Sequence, residues 1–156
     1  MANPEHLALV RQGSADVNKF VEENPRAPLD LSGADLAGMD LRGYVLGRAN
    51  LAGANLAGAD LRDTRLGGAD LRGAVLRDAD ARGTSFHQAI LAGADMRGVK
   101  LDQIGVGHQL MCVSPNTFQD SRWDRERLEE ILAAINLNQD WEIRYQIVPR
   151  DQGQRA

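Results

Sequence analysis

A five-residue period runs without interruption from residue 29 to residue 103 and divides this segment into 15 units. The centre of each unit is Leu in 12 cases and Ala81, Phe86 or Met96 in the others. Ala stands two residues before the centre in nine units, Asp or Asn stands between these two positions in nine, and Gly closes ten. Apolar residues spaced alternately by two and three positions fit neither a helical stripe nor an uninterrupted strand.

The spacing predicts a chain that is extended for a few residues, turns a corner and is extended again. Side chains two residues apart share one face of an extended segment, so the central residue and the residue two before it point inward. Gly supplies backbone freedom at the corner, and Asp or Asn can hydrogen-bond the nearby backbone. Four units closing one square turn would stack equivalent positions ~4.8 Å apart, as in a solenoid. The predicted core comprises Leu31, Leu36, Leu41, Leu46, Leu51, Leu56, Leu61, Leu66, Leu71, Leu76, Phe86, Leu91, Met96 and Leu101.

This run of Ala-(Asp/Asn)-Leu-x-x units resembles the pentapeptide-repeat family, and the resemblance covers about half of the chain. It implies an all-β solenoid, a right-handed quadrilateral parallel β-helix, with about four coils in this sequence. It also implies a binding or scaffold protein. The best understood members of the family are DNA-mimicking inhibitors or protectors of DNA gyrase and related type II topoisomerases.

We place the β-helix at residues 29–108. The segments before and after it are predicted to cap its two ends. An open end of a β-helix exposes apolar side chains and unpaired backbone groups, which favours aggregation. Residues 1–28 predict two short helices, with Asn3 as the N-cap of the first, Gly13 at its end and Ser14 as the N-cap of the second. Residues 109–156 predict a helix that begins at Ser121 or Asp124 and a strand over 141–147. This C-terminal cap is also our candidate for a homodimer contact.

The fourth side of the predicted coil departs from the repeat in every turn. Its units occupy residues 44–48, 64–68 and 84–88, followed by 104–108. Two interpretations remain open. Larger inward residues fill the lumen there, with Tyr44 sealing against the N-terminal helix, or this side binds a partner. The candidate partner-binding residues are Val45, Arg48, Arg65, Ser85, His87 and Gln88.

Charge argues against imitation of DNA. Residues 29–108 hold ten Asp and nine Lys or Arg, so the coil carries −1 of the chain's net −4, whereas duplex DNA carries one charge per ~1.7 Å. The third side alternates Asp40, Asp60 and Asp80 with Arg42, Arg62 and Arg82, which predicts solvated ion pairs. The chain also lacks the basic stripe that direct nucleic-acid binding requires.

The sequence contains no recognisable catalytic motif. A metal site needs three or four converging ligands. The candidates here are two histidines about one coil apart and a single cysteine, namely His87, His108 and Cys112. We therefore expect no enzyme activity, no metal and no cofactor. A single cysteine, the lack of a leader pattern and the lack of a long apolar run predict a cytoplasmic protein without a membrane span. The expected function is a protein-binding or scaffold module of unknown partner. The alternative is the gyrase inhibitor or protector of the quinolone-resistance type.

Overall fold

The chain begins with two helices joined by one residue. The computed structural model describes residues 1–101, 121–124, 126 and 129. Helix α1 spans Pro4–Gln12 and helix α2 spans Ser14–Glu23. Asn3 caps α1 as predicted, its side chain accepting a hydrogen bond from the Glu5 N–H at 2.9 Å. The prediction that Ser14 caps α2 is wrong, because Gly13 occupies the N-cap position and its carbonyl already accepts from the Val17 N–H.

Parallel pairing between residues 20 apart follows the helices. Isolated β-bridges join Asp30 to Asn50, Asp35 to Asn55 and so on through Asp80 to Lys100. Each side of the coil thus contributes one bridging residue per turn, flanked by its own hydrogen bonds. The Asn50 N–H donates to the Leu29 carbonyl in the turn before it, and the Asn50 carbonyl accepts from the Leu31 N–H. Five-residue units in a 20-residue register give the coil four sides.

A β-turn forms the corner between one side and the next. The first corner is closed by a hydrogen bond of 3.0 Å from the Ala34 N–H to the Leu31 carbonyl. The third residue of each turn has a positive φ, between 65° and 73° at the ten glycines that close units. A positive φ at that position alone is the pattern of a type II turn, which favours Gly. The same position holds non-glycine residues with φ between 58° and 62° at Arg48, Asp63, Asp78 and Gln88.

Substitution of Gly53 by Ala isolates the conformational requirement of the corner. Gly53 has φ +67°, and a Cβ built there meets no atom within 4 Å. Left-handed backbone costs an L-residue roughly 1–2 kcal/mol, partly offset by the smaller entropy of the unfolded chain. We expect Gly53→Ala to lower the free energy of unfolding by about 1 kcal/mol in a denaturant titration. Gly47→Ala is the control, because Gly47 has no positive φ and its Cβ would lie at ordinary contact distance, 3.4 Å, from the Gly67 carbonyl. Equal losses in both variants would contradict this account.

The core is a column of apolar side chains inside the coil. The 14 side chains predicted to point inward are each at most 4% exposed, and the Ala residues two positions before them are buried as well. Val10 of α1 and Val17 of α2 belong to the same cluster. The two helices therefore lie against the coil and share its apolar interior.

Side chains of the helical segment also bind backbone groups of the first turn, which has no preceding turn to pair with. The Asp30 N–H donates to His6 Nδ1 at 2.9 Å. The Val45 N–H donates to Asn18 Oδ1 at 2.7 Å, and Asn18 Nδ2 donates to the Gly43 carbonyl at 3.2 Å. These contacts satisfy backbone groups that would otherwise be unpaired at this end of the coil.

Residues 121–124 return to the other end of the described coil. Arg122 forms a parallel bridge with Asp95, 27 residues away rather than 20. Its N–H donates to the Ala94 carbonyl, and the Asp124 carboxylate accepts from the Gly98 N–H at 2.6 Å. The predicted side at 104–108, the C-terminal strand at 141–147 and most of the segment proposed to form a homodimer contact lie outside the described residues. Within the described part, neither helix has the length or apolar character needed to cross a membrane.

Candidate binding surface on the fourth side

The six predicted binding residues lie on one side of the coil. Parallel bridges stack Val45 on Arg65 and Arg65 on Ser85, so these three form one outward column. The others belong to the same three units. Val45 and Ser85 are half-buried, and the exposed members are Arg48, Arg65, His87 and Gln88. The fourth side comprises residues 44–48, 64–68 and 84–88, and its outward surface is the candidate binding surface.

The inward departures of the fourth side have partners within the protein. The Tyr44 hydroxyl donates to the Val10 carbonyl of α1 at 3.0 Å, and burial raises the pKa of this phenol. Thr64 Oγ1 donates to the Leu41 carbonyl at 2.7 Å, and Thr84 Oγ1 donates to the Leu61 carbonyl at 2.6 Å. These buried hydroxyls tie adjacent turns together and tie the coil to α1. They involve none of the outward side chains.

Asp and Asn cap the backbone on the other three sides. Each of the nine residues of this type in the repeat accepts a hydrogen bond from the N–H two positions further on, at 3.1–3.4 Å. This is the local backbone bond expected of Asp and Asn in turns. The nine residues are Asp30, Asp35, Asp40, Asn50, Asn55, Asp60, Asp70, Asp80 and Asp95.

The first two units of the fourth side lack these caps. Val45 and Arg65 stand at the capping position and have no side-chain acceptor, so the N–H groups of Gly47 and Gly67 have no acceptor within the described part of the chain. Elsewhere in the described coil such an uncapped amide occurs singly, at Arg77 and at Ala92. The fourth side is thus where uncapped amides follow one another in successive turns. Sequence reasoning noted the missing Asp and Asn but did not derive this consequence for the backbone.

Charges are also distributed differently on the fourth side. On the other sides Arg residues pair with an Asp two positions before them, as predicted for the third side, with Nη2–Oδ2 distances of 2.5–2.6 Å. Hydrogen bonds from Arg42 lower the pKa of Asp40 to about 2. Hydrogen bonds from Arg97 and, to a smaller degree, Arg77 hold the pKa of Asp95 far below its usual range. The pairs are Asp40–Arg42, Asp60–Arg62, Asp70–Arg72, Asp80–Arg82 and Asp95–Arg97.

Arg48 and Arg65 form no ion pair with any described residue. The three units of the fourth side contain these two cations and no acidic residue. Arg48 lies across the next turn, because a Cβ built on Gly68 would be 3.5 Å from its Cγ. The fourth side therefore presents two uncompensated positive charges beside two uncapped amide groups.

A cavity of about 260 Å³ adjoins the fourth side at its N-terminal end. Residues 24–28, which link α2 to the first turn, cover this cavity. They stand 20 positions before the first unit of the fourth side, residues 44–48. Gly47 and Arg48 thus contribute both to the cavity and to the fourth side. The cavity was not predicted, because the linking segment carries no repeat. Its lining comprises Val21, Asn24, Pro25, Arg26, Ala27, Pro28, Leu29, Gly47 and Arg48.

Of the three residues considered for a metal site, only His87 is among the described residues. His87 is exposed on the fourth side. His108 and Cys112 lie outside the described residues. Among the residues that are described, no three His, Cys, Asp or Glu side chains form a group that could hold a metal ion.

The fold and the fourth side together define a four-sided parallel β-solenoid of five-residue repeats with a modified outer face. The family model of pentapeptide repeats matches residues 30–68 and 69–103 with eight copies. The repeat region of this chain therefore belongs to the pentapeptide-repeat family. This agrees with the resemblance drawn from the Ala-(Asp/Asn)-Leu-x-x units. No curated protein matches the chain in sequence.

Solved structures similar to this chain include two cyanobacterial pentapeptide-repeat proteins. Rfr23 from Cyanothece 51142 is 30% identical, with 63% of this chain and 58% of that chain covered and a TM-score of 0.48. HetL from Nostoc sp. strain PCC 7120, involved in heterocyst differentiation regulation, is 32% identical over 60% of this chain and 38% of that chain, with a TM-score of 0.47. This chain thus spans less than two thirds of either protein.

A third similar structure is that of QnrB1, a plasmid-mediated fluoroquinolone resistance protein. It is 12% identical, with 69% of this chain and 63% of that chain covered and a TM-score of 0.31.

Proposed function

We propose that this protein is a non-catalytic binding module that holds a protein partner on its fourth side. The observation that carries the proposal is the exposed pair Arg48 and Arg65. Neither has a carboxylate partner among the described residues, whereas the other sides of the coil pair Arg with Asp. Outward side chains of a β-solenoid stand on a fixed lattice with a ~4.8 Å repeat. A partner can bind such a surface with little loss of conformational entropy from the protein.

In this proposal the coil has about four turns and is closed at both ends. Residues 1–28 form the N-terminal cap, supported by the hydrogen bonds of His6 and Asn18 to the first turn. Residues 109–156 form the C-terminal cap, supported by the bridge between Arg122 and Asp95. Closed ends direct recognition to the sides of the rod, because the end surfaces are already occupied.

A direct test compares charge reversal on two sides of the coil. Proteins captured by the wild-type chain would be identified by mass spectrometry, purified and titrated against Arg65→Glu and Lys100→Glu. Both residues stand at the outward bridging position of their units, but Lys100 lies on the third side. We expect Arg65→Glu to lower the affinity for the specific partner by about tenfold or more, and Lys100→Glu to leave this affinity unchanged. If Arg65→Glu retained every partner at wild-type affinity, the fourth side would not be the binding surface.

The gyrase inhibitor or protector implied by the family resemblance is the second function to test. The distribution of charge disfavours it, because five of the nine Asp residues of the described coil form ion pairs with Arg. A supercoiling assay with purified DNA gyrase separates the two functions. We expect no inhibition and no protection from a quinolone at micromolar protein. Activity in either assay at sub-micromolar protein would replace our proposal with the alternative.

A further inference from the structure

We infer that the partner of the fourth side is an acidic protein segment, whose carboxylates bind the uncapped amides of Gly47 and Gly67. This inference rests on the proposed function and specifies the chemistry of the partner. It follows from what the repeat does on its other sides, where Asp or Asn accepts a hydrogen bond from the equivalent N–H. The partner would supply from outside the acceptor that the chain supplies internally elsewhere.

Gly47 and Gly67 are both half-buried rather than enclosed in the core. Gly47 and Gly67 stand in adjacent turns, since a Cβ built on Gly47 would lie 3.4 Å from the Gly67 carbonyl oxygen. Neither residue has a side chain to obstruct the approach of an acceptor to its N–H. Amides in adjacent turns are separated by ~4.8 Å, so two carboxylates of one segment could engage them together.

Arg48 and Arg65, which form no ion pair within the described part of the chain, stand beside these amides. Arg48 follows Gly47 directly in the chain and extends over Gly68 in the next turn, whereas Arg65 occupies the bridging position two residues before Gly67. A guanidinium group binds a carboxylate through two parallel hydrogen bonds, and charged hydrogen bonds are stronger than neutral ones. Arg26 adds a third guanidinium at the cavity that Gly47 and Arg48 help to line.

The isolated uncapped amides on other sides lack this combination. Arg77 is itself bound to Asp95 through its guanidinium at 2.7 Å. Ala92 belongs to a unit with no charged residue, Ala89–Gly93. An uncapped amide alone is therefore not the proposed site, which requires consecutive amides with unpaired Arg residues next to them.

A carboxylate segment fits these features better than a nucleic acid. Affinity for nucleic acid comes mainly from many phosphate contacts made by Lys and Arg. The fourth side has two such cations, and the coil as a whole carries −1. An acidic peptide needs only a few charges placed at the spacing of the amides.

The experiment uses the full chain and a fluorescein-labelled decapeptide of alternating Asp and Ala, with a Lys-Ala decapeptide as the charge control. Fluorescence anisotropy measures affinity, and amide NMR shifts identify the residues that bind. We expect the Asp-Ala peptide to bind and to shift the amide signals of Gly47 and Gly67 but not that of Ala92. No binding of the Asp-Ala peptide, or shifts confined to other sides, would overturn the inference.

Two matched variants separate the amide from the overall charge. Val45→Asn places the common capping residue beside Gly47, whereas Val75→Asn makes the same change on the second side, beside Arg77. Neither changes the net charge, and both restore the repeat, so the fold should be retained. We expect Val45→Asn to lower the affinity for the Asp-Ala peptide about five- to tenfold, because the Asn side chain would accept the hydrogen bond of the Gly47 N–H. Val75→Asn should leave this affinity unchanged.

Equal affinities of wild type and Val45→Asn for the peptide would overturn the inference. Tighter binding of a ten-nucleotide oligo(dT) than of the Asp-Ala peptide would also overturn it, in favour of a nucleic-acid surface. The proposed function has a separate test, because loss of a protein partner in Arg65→Glu would uphold the fourth side as a binding surface even if the peptide failed.

Discussion

Replacement of Leu71 by Asp should leave the protein unable to fold. Leu71 is fully buried in the middle of the coil, and its N–H pairs with the Ile90 carbonyl of the next turn. Truncation of a buried Leu costs ~2–5 kcal/mol, and an unpaired buried carboxylate adds several more. The free energy of unfolding of a natural domain is ~5–15 kcal/mol, so the sum removes most or all of it. Circular dichroism and urea titration of the purified variant measure the result.

Val75→Asn is the control for this prediction. Val75 occupies an outward bridging position and is half-buried. Because Asn is common at that position of the repeat, this polar substitution should leave the free energy of unfolding unchanged or raise it slightly. A soluble Leu71→Asp protein with a cooperative unfolding transition near that of the wild type would show that the central residues do not point inward.

The coil could be predicted from sequence because one local rule is repeated. The central Leu, the Ala two residues before it and the closing Gly each specify the same backbone at every unit, so local preference and global packing agree. The alternation of Asp40 with Arg42 likewise predicted the third-side ion pairs. After Gln103 the repeat fades. The pairing of Arg122 with Asp95 therefore could not be predicted, because no repeat fixes which residue follows Asp95 on that side.

The sequence shows that the fourth side departs from the repeat. It does not show whether the inward or the outward departures have a function of their own. The inward residues Tyr44, Thr64 and Thr84 depart from the repeat as clearly as the outward residues do. Those outward residues are Val45 and Arg65. Only the hydrogen bonds of the buried hydroxyls show that the inward departures serve packing. The uncapped amides of Gly47 and Gly67 could in principle have been predicted, because the absence of Asp or Asn two residues before each is visible in the sequence. Their interpretation requires the capping bonds seen on the other sides.

The second large effect is expected at the N-terminal end of the coil, from Val17→Asp. Val17 of α2 is fully buried and belongs to the same core as the coil leucines. The segment 1–28 should detach rather than bury an unpaired charge, with a loss of about 3 kcal/mol or more in the free energy of unfolding. Its detachment would also break the hydrogen bond between the Val45 N–H and Asn18. The first turn would then expose apolar side chains and unpaired backbone groups, which favours self-association.

Three measurements test this prediction against Ala15→Asp, a control that places the same charge on the exposed surface of α2. Thermal unfolding should show a lower midpoint for Val17→Asp and an unchanged midpoint for Ala15→Asp. Light scattering should detect assemblies larger than the wild type only for Val17→Asp. Hydrogen exchange should accelerate at the Val45 amide, which loses its acceptor, while the Leu71 amide in the middle of the coil stays protected. A monomeric Val17→Asp protein with slow exchange at Val45 would show that α1 and α2 are not needed to close this end of the coil.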